Sequence, residues 1–141
     1  MTLTLDLART VLEGALKKAR EINSPSSVAI IDAGRELVAF GRMDDALLAS
    51  VAISQAKAYT ARSMNCATRD LGSAAQPGAP LFGLHVAHLA VGHPLVTFGG
   101  GVPVIVNGEI IGAVGVSGGS SEQDHEIATA GATAITEQTN V

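Results

Sequence analysis

The chain has no tryptophan, one tyrosine, three phenylalanines and one cysteine among its 141 residues. With a single Cys66, no intramolecular disulfide framework is possible, which fits a reducing compartment. Aromatic residues make up 3% of a chain that is 47% hydrophobic, so the core has to be built from Ala, Val, Ile and Leu. No apolar run free of Gly and Pro is long enough to cross a bilayer, and no membrane span is expected. The opening stretch MTLTLDLARTVLEGALKKAR lacks a basic segment followed by an apolar one, so it reads as an amphipathic helix rather than a leader. The expected location is the cytoplasm. At this length one domain, residues 1–141, is expected, and it can bury about two-thirds of its unfolded surface.

Charge is the most unevenly distributed feature. The net charge is −4, yet all nine Lys and Arg residues lie between Arg9 and Arg69. From Leu71 to Gly108 there is no Asp, Glu, Lys or Arg. Nucleic-acid binding requires clustered basic residues, and the scattered pairs here do not supply them. A long uncharged stretch in so small a protein points to burial against a second subunit, an apolar ligand, or both.

The segment Gly99–Gly119 organises the remainder. Two β-branched runs, Val102–Val106 and Ile110–Val116, flank Asn107-Gly108, the strongest short-range signal for a hairpin with a type I′ turn. That register pairs Val106 with Glu109, Ile105 with Ile110 and Val104 with Ile111. It places Val104, Ile111 and Ala113 on one face and Ile105, Ile110 and Val114 on the other. Neither face is polar, so layers are expected on both sides. After Ser117-Gly118-Gly119 the chain opens a helix over Glu122–Thr136, with Ser120 and Gln123 spaced as a capping box. A glycine-rich turn at a helix start can also hold an anion on its backbone N–H groups.

Apolar residues at Leu3, Leu7, Val11, Ala15 and Ala19 predict a first helix over Leu3–Glu21 with Thr4 as N-cap. Strands follow at Val28–Ile31 and Glu36–Arg42, joined by Asp32-Ala33-Gly34-Arg35. An alanine-rich helix over Leu47–Met64 is thin enough to approach a sheet closely. A short helix over Thr68–Gln76, a helical or irregular Leu81–Val91 and a strand at Leu95–Phe98 complete the reading. The order is α-β-β-α-(α)-β-β-β-α. It predicts an α+β fold: a five-stranded antiparallel sheet with flanking helices, of profilin-like or PAS-like proportions.

Candidate chemistry lies at few positions. His85 and His88 stand three apart, on one face of a helix, and His93 follows; one imidazole suffices as an axial haem ligand. Zinc would need further donors that the uncharged stretch lacks. Lys57 either lies along the surface with its ammonium in water or faces the sheet as an anion anchor, joined by Arg42 and the Ser117–Ser121 turn. Asp124 is explained by helix capping. Ser117 sits in the letters of G-x-S-x-G without the surrounding βαβ units of a hydrolase. Cys66 reads as a small buried residue.

The string GGGVPVIVNGEIIGAVGVSGGSSEQDHEIATAGATAI resembles the C-terminal signature of the GlcG/HbpS-like, or haem-degrading domain, family. VAIIDAGRELVAFGRMDDA and QAKAYTA resemble its N-terminal half, and the likeness spans Leu5 to Ile135. The resemblance implies a five-stranded antiparallel sheet and homo-oligomers, from tetramer to octamer. It also implies a small-molecule ligand, with haem or another tetrapyrrole bound at an oligomer interface. The matching motif positions, carried over as a ligand pocket, are Arg42, Asp44, Lys57, Thr60, Ser117, Gly118, Gly119 and Asp124. Candidate haem ligands are His85, His88 and His93; the N-terminal-helix histidine of some members has no counterpart here. The alternative is an auxiliary enzyme of small hydroxy-acid or aromatic-compound catabolism. In it Lys57 and Arg42 hold a carboxylate and His93 or Asp44 moves a proton.

Overall fold

A computed structural model describes residues 1–139, the last four of them by backbone alone. The elements are α1 (Leu5–Glu21), β1 (Ser27–Asp32), β2 (Leu37–Arg42), α2 (Ser50–Met64), a 3-10 turn (Thr68–Leu71), α3 (Leu84–Ala87) running into a second 3-10 turn (His88–Val91), β3 (Gly101–Val106), β4 (Glu109–Ser117) and α4 (Ser121–Thr139). The sheet has the order β2-β1-β4-β3, with every neighbouring pair antiparallel. Helices α1 and α4 pack together over one face and α2 lies across the other, which makes an α+β domain.

Local chemistry explains most boundaries. Thr4 Oγ1 accepts the Leu7 N–H at 3.2 Å and starts α1, whose Ala8, Val11, Ala15 and Ala19 form a fully buried stripe. Asn107 and Gly108 hold the positive φ values, 51° and 78°, that a type I′ turn demands. Ser120 and Gln123 form the reciprocal capping box, each side chain accepting the other's backbone N–H at 3.2 and 2.9 Å.

The main core lies between the sheet and the α1/α4 pair, where Val28, Ile30, Val104, Ile111, Val114 and Val116 meet Val11, Ile127 and Ile135. The opposite layer is thin: Ile31 and Ala113 meet Ala58 and Ala61 of α2. Gly115 permits this closeness. A Cβ there would overlap Ser54 O and stand 2.5 Å from Ala58 N, so the helix backbone rides directly over β4.

Four expectations need correction. The sheet has four strands rather than five, because Leu95–Phe98 forms no strand. Its backbone is tied to side chains instead: the Val96 N–H donates to Thr60 Oγ1 at 2.9 Å, and Phe98 O accepts from Thr68 Oγ1 at 2.7 Å. In the hairpin, Ile105 still faces Ile110, but Val104 faces Gly112. The bulge gives β4 one extra residue at Ile111, which moves that side chain onto the face of Val114 and away from that of Ala113. Finally, α2 begins at Ser50. Leu47 and Leu48 precede it in a turn, 66% and 83% exposed. The short helix expected over Thr68–Gln76 contracts to the 3-10 turn.

Much of the uncharged segment is not covered by its own chain, although Leu71, Leu95, Val104 and Val106 are buried. Phe82, Val86, Leu89, Val91 and Phe98 are all more than half exposed. No helix among the described residues is long and apolar enough to cross a membrane.

Candidate functional site

The carried-over positions divide into two groups. Lys57 is 1% exposed and points under the start of α4, where Nζ donates to Val116 O and to Asp124 Oδ2, both at 2.9 Å. Asp124, 2% exposed, accepts the Gly119 N–H on its other oxygen at 3.0 Å. Burial pushes the Lys57 pKa down, and the hydrogen bond and charge of Asp124 oppose that shift. The Phe98 ring stands 5.1 Å from the ammonium. Thr60 is also occupied within the chain, donating to Ala56 O at 2.7 Å and accepting from Val96. Ser117 and Gly118 lie beneath the same junction, with Gly118 packed on Pro25 and Ser26.

Arg42 and Asp44 lie elsewhere. They line a shallow cleft of 380 Å³ with Leu16, Arg20, Gly41 and Met43. The expected anion anchor joining Lys57, Arg42 and the glycine turn therefore does not form. The Lys57 charge is neutralised by Asp124, and the Gly119 and Ser120 N–H groups are taken by the Asp124 and Gln123 side chains. The cluster is a buried tie between α2, β4 and α4.

The histidines tell a different story. His85 is exposed, whereas His88 and His93 converge on Tyr59, the only tyrosine. The His93 ring stacks on the phenol with centroids 4.4 Å apart and planes 10° apart. His88 meets it edge-on, its Nε2 3.2 Å from the hydroxyl. Arg35, in the turn between β1 and β2, donates from Nη1 to the same hydroxyl at 3.0 Å, with its guanidinium 4.7 Å from the ring centre. Because the phenol oxygen accepts from Arg35, its own proton is free for the His88 Nε2 lone pair. His93 is left engaged by stacking.

Arg35, Tyr59 and His93, though not His88, line an open groove of 440 Å³, with Ile31, Glu36, Leu37 and Pro94 among its other walls. Sequence reasoning missed Arg35 and gave Tyr59 no role. The one available signal was a lone tyrosine set in an alanine-rich helix. Among the described residues, no group of three His, Cys, Asp or Glu side chains is placed to hold a metal ion.

Fold and groove together define a class: a small α+β domain that gathers imidazole, phenol and guanidinium groups at one open face. Comparison with known proteins narrows it. A family model described as haem degrading protein HbpS-like matches residues 3–133, and the chain belongs to that family. It is 45% identical over 127 residues to a 15.0 kDa protein of the dhaT-dhaS intergenic region of Citrobacter freundii, covering 90% of this chain and 87% of that protein. The structure is similar to that of Klebsiella pneumoniae protein ORFY, with a TM-score of 0.89 and 40% identity over 96% of this chain and 92% of that one. It is also similar to the PduOC:haem complex, with a TM-score of 0.88 and 38% identity over 96% of each chain.

Proposed function

We propose that this protein is a cytoplasmic haem- or tetrapyrrole-binding protein that takes its ligand at the Tyr59 groove. The observation that carries the reading is the convergence of His88 and His93 on Tyr59 beside Arg35. Family membership and similarity to PduOC, a protein solved with haem, support it.

The residues fit the group. An imidazole suits haem iron, a guanidinium suits a propionate, and Ile31, Leu37 and Pro94 offer apolar surface to a macrocycle. His93 is the first choice for the iron, since the Nε2 of His88 is engaged by Tyr59. Arg35 is placed for a propionate, in place of the anion anchor expected from Lys57 and Arg42. Bound haem supplies an iron centre able to take a further ligand or an electron. One chain offers a single wall to a flat ligand. The second wall is proposed to come from another copy, through the exposed Phe82, Val86, Leu89 and Val91, within a tetramer to octamer.

Titration of the purified protein with haemin, followed by visible absorption, tests this. A saturable Soret change at one haem per chain or per dimer is expected, lost in His93→Ala and kept in His85→Ala. Weak, non-saturating changes that are indifferent to His85→Ala, His88→Ala and His93→Ala would overturn the reading.

A further inference from the structure

A second cleft, of 460 Å³, lies between the 3-10 turn Thr68–Leu71 and the first turns of α4. It shares no lining residue with the Tyr59 groove. Ser121, His125 and Thr129 succeed one another at four-residue spacing, so they form one stripe of the helix along the cleft wall. Arg69 stands in the lining as its one cation. Among the described residues, that guanidinium is held only by an exposed 3.8 Å contact with the adjacent Asp70.

His125 is the unusual member. Its Nε2 lies 3.3 Å from Thr129 Oγ1, while its Nδ1 is the single buried side-chain polar atom without a hydrogen-bond partner among the described residues. Such an atom is costly unless something outside the chain completes it. Burial and then the Arg69 charge push its pKa below the ordinary histidine value, against the pull of Asp70. The ring is therefore neutral at pH 7, with Nε2 engaged by Thr129 Oγ1 and Nδ1 as its one unused group. A cleft of this size with a few convergent polar groups and a perturbed histidine has the makings of a small-molecule site.

We propose that this cleft binds a small hydroxy-monocarboxylic acid, its carboxylate on Arg69 and its hydroxyl on the His125–Thr129 pair. A guanidinium fork matches a carboxylate, and the N-terminal end of the 19-residue α4 borders the same space with its positive dipole. Glu122 in the lining disfavours a second negative charge on the ligand, and Glu126, which also lines the cleft, is paired with Lys18 at 3.2 Å. An imidazole and a hydroxyl in hydrogen-bond contact complement an alcohol, which both donates and accepts.

The test uses protein labelled with ¹⁵N at histidine and titrated with glycerate, with glycerol (no carboxylate) and with propionate (no hydroxyl). Glycerate is expected to shift the His125 ring nitrogens saturably. Losing either ligand group, or making Arg69→Gln, should weaken binding about tenfold or more, the value of a charge-assisted or well-made hydrogen bond. A shift that fails to saturate, or that Arg69→Gln leaves unchanged while the variant retains its folded spectrum, would overturn the proposal. Haemin titration of Arg69→Gln separates the two readings. An unchanged haem response is expected, and its loss would overturn the independence of this cleft.

Discussion

The buried Lys57–Asp124 pair makes the sharpest demand on the fold. Both side chains are almost wholly buried, and Asp124 supplies one of the two hydrogen bonds to the ammonium. Asp124→Ala leaves that ammonium desolvated without a counter-charge and deprives the Gly119 N–H of its acceptor. Breaking one side of a buried ion pair costs about 3–5 kcal/mol. With an unfolding entropy near 2.1 cal/mol/K per residue, that corresponds to a fall in Tm of about 10–17 °C for a domain of this size. The sign of the pH dependence follows from the lowered Lys57 pKa. Losing Asp124 removes the interaction that held the pKa up, so the ammonium gives up its proton earlier in the folded state than in the unfolded chain. Stability of the variant should therefore rise with pH between the folded pKa and 10.5, closing part of the gap to wild type. The double change Lys57→Met with Asp124→Leu, which removes both charges, should recover most of the loss. Urea unfolding followed by far-UV circular dichroism measures all three, since there is no tryptophan to report. A loss below about 1 kcal/mol in Asp124→Ala, or a double variant as unstable as the sum of the singles, would refute the reasoning.

Three further outcomes are expected. Gly115→Ala should destabilise by more than about 2 kcal/mol, because the new Cβ meets the α2 backbone at Ser54 and Ala58, and thermal melts check it. Thr60→Val removes the acceptor of the part-buried Val96 N–H and should cost about 1–2 kcal/mol, with faster hydrogen exchange confined to residues 95–98. His125 binds its proton less readily folded than unfolded, so stability should fall as pH drops below 6.5 and level off below the folded pKa. Urea midpoints at pH 7.5 and 5 should differ less in His125→Gln than in wild type, and identical differences would exclude this contribution.

Much of the architecture could be read from the sequence because it is written in short-range geometry. The Asn107-Gly108 turn, the Thr4 cap and the Ser120–Gln123 box each depend on residues within three positions of one another. The stripe of α1 follows from a helical period, and the two-sided burial of the second hairpin from its lack of a polar face. Family membership was legible for the same reason, in contiguous strings. Tertiary structure decided the rest. Whether Leu95–Phe98 became a strand depended on which groups would satisfy its backbone, and those proved to be Thr60 and Thr68, more than 29 residues away. Lys57 read first as a surface lysine and second as an anion anchor; only the fold placed Asp124, 67 positions on, against its ammonium. Tyr59, Arg35, His88 and His93 come from a helix, a hairpin turn, a 3-10 turn and a loop, and no periodicity relates them. Sequence period and turn chemistry specify how a segment bends and which face it buries. Which distant segment fills that face is set by packing the whole chain at once.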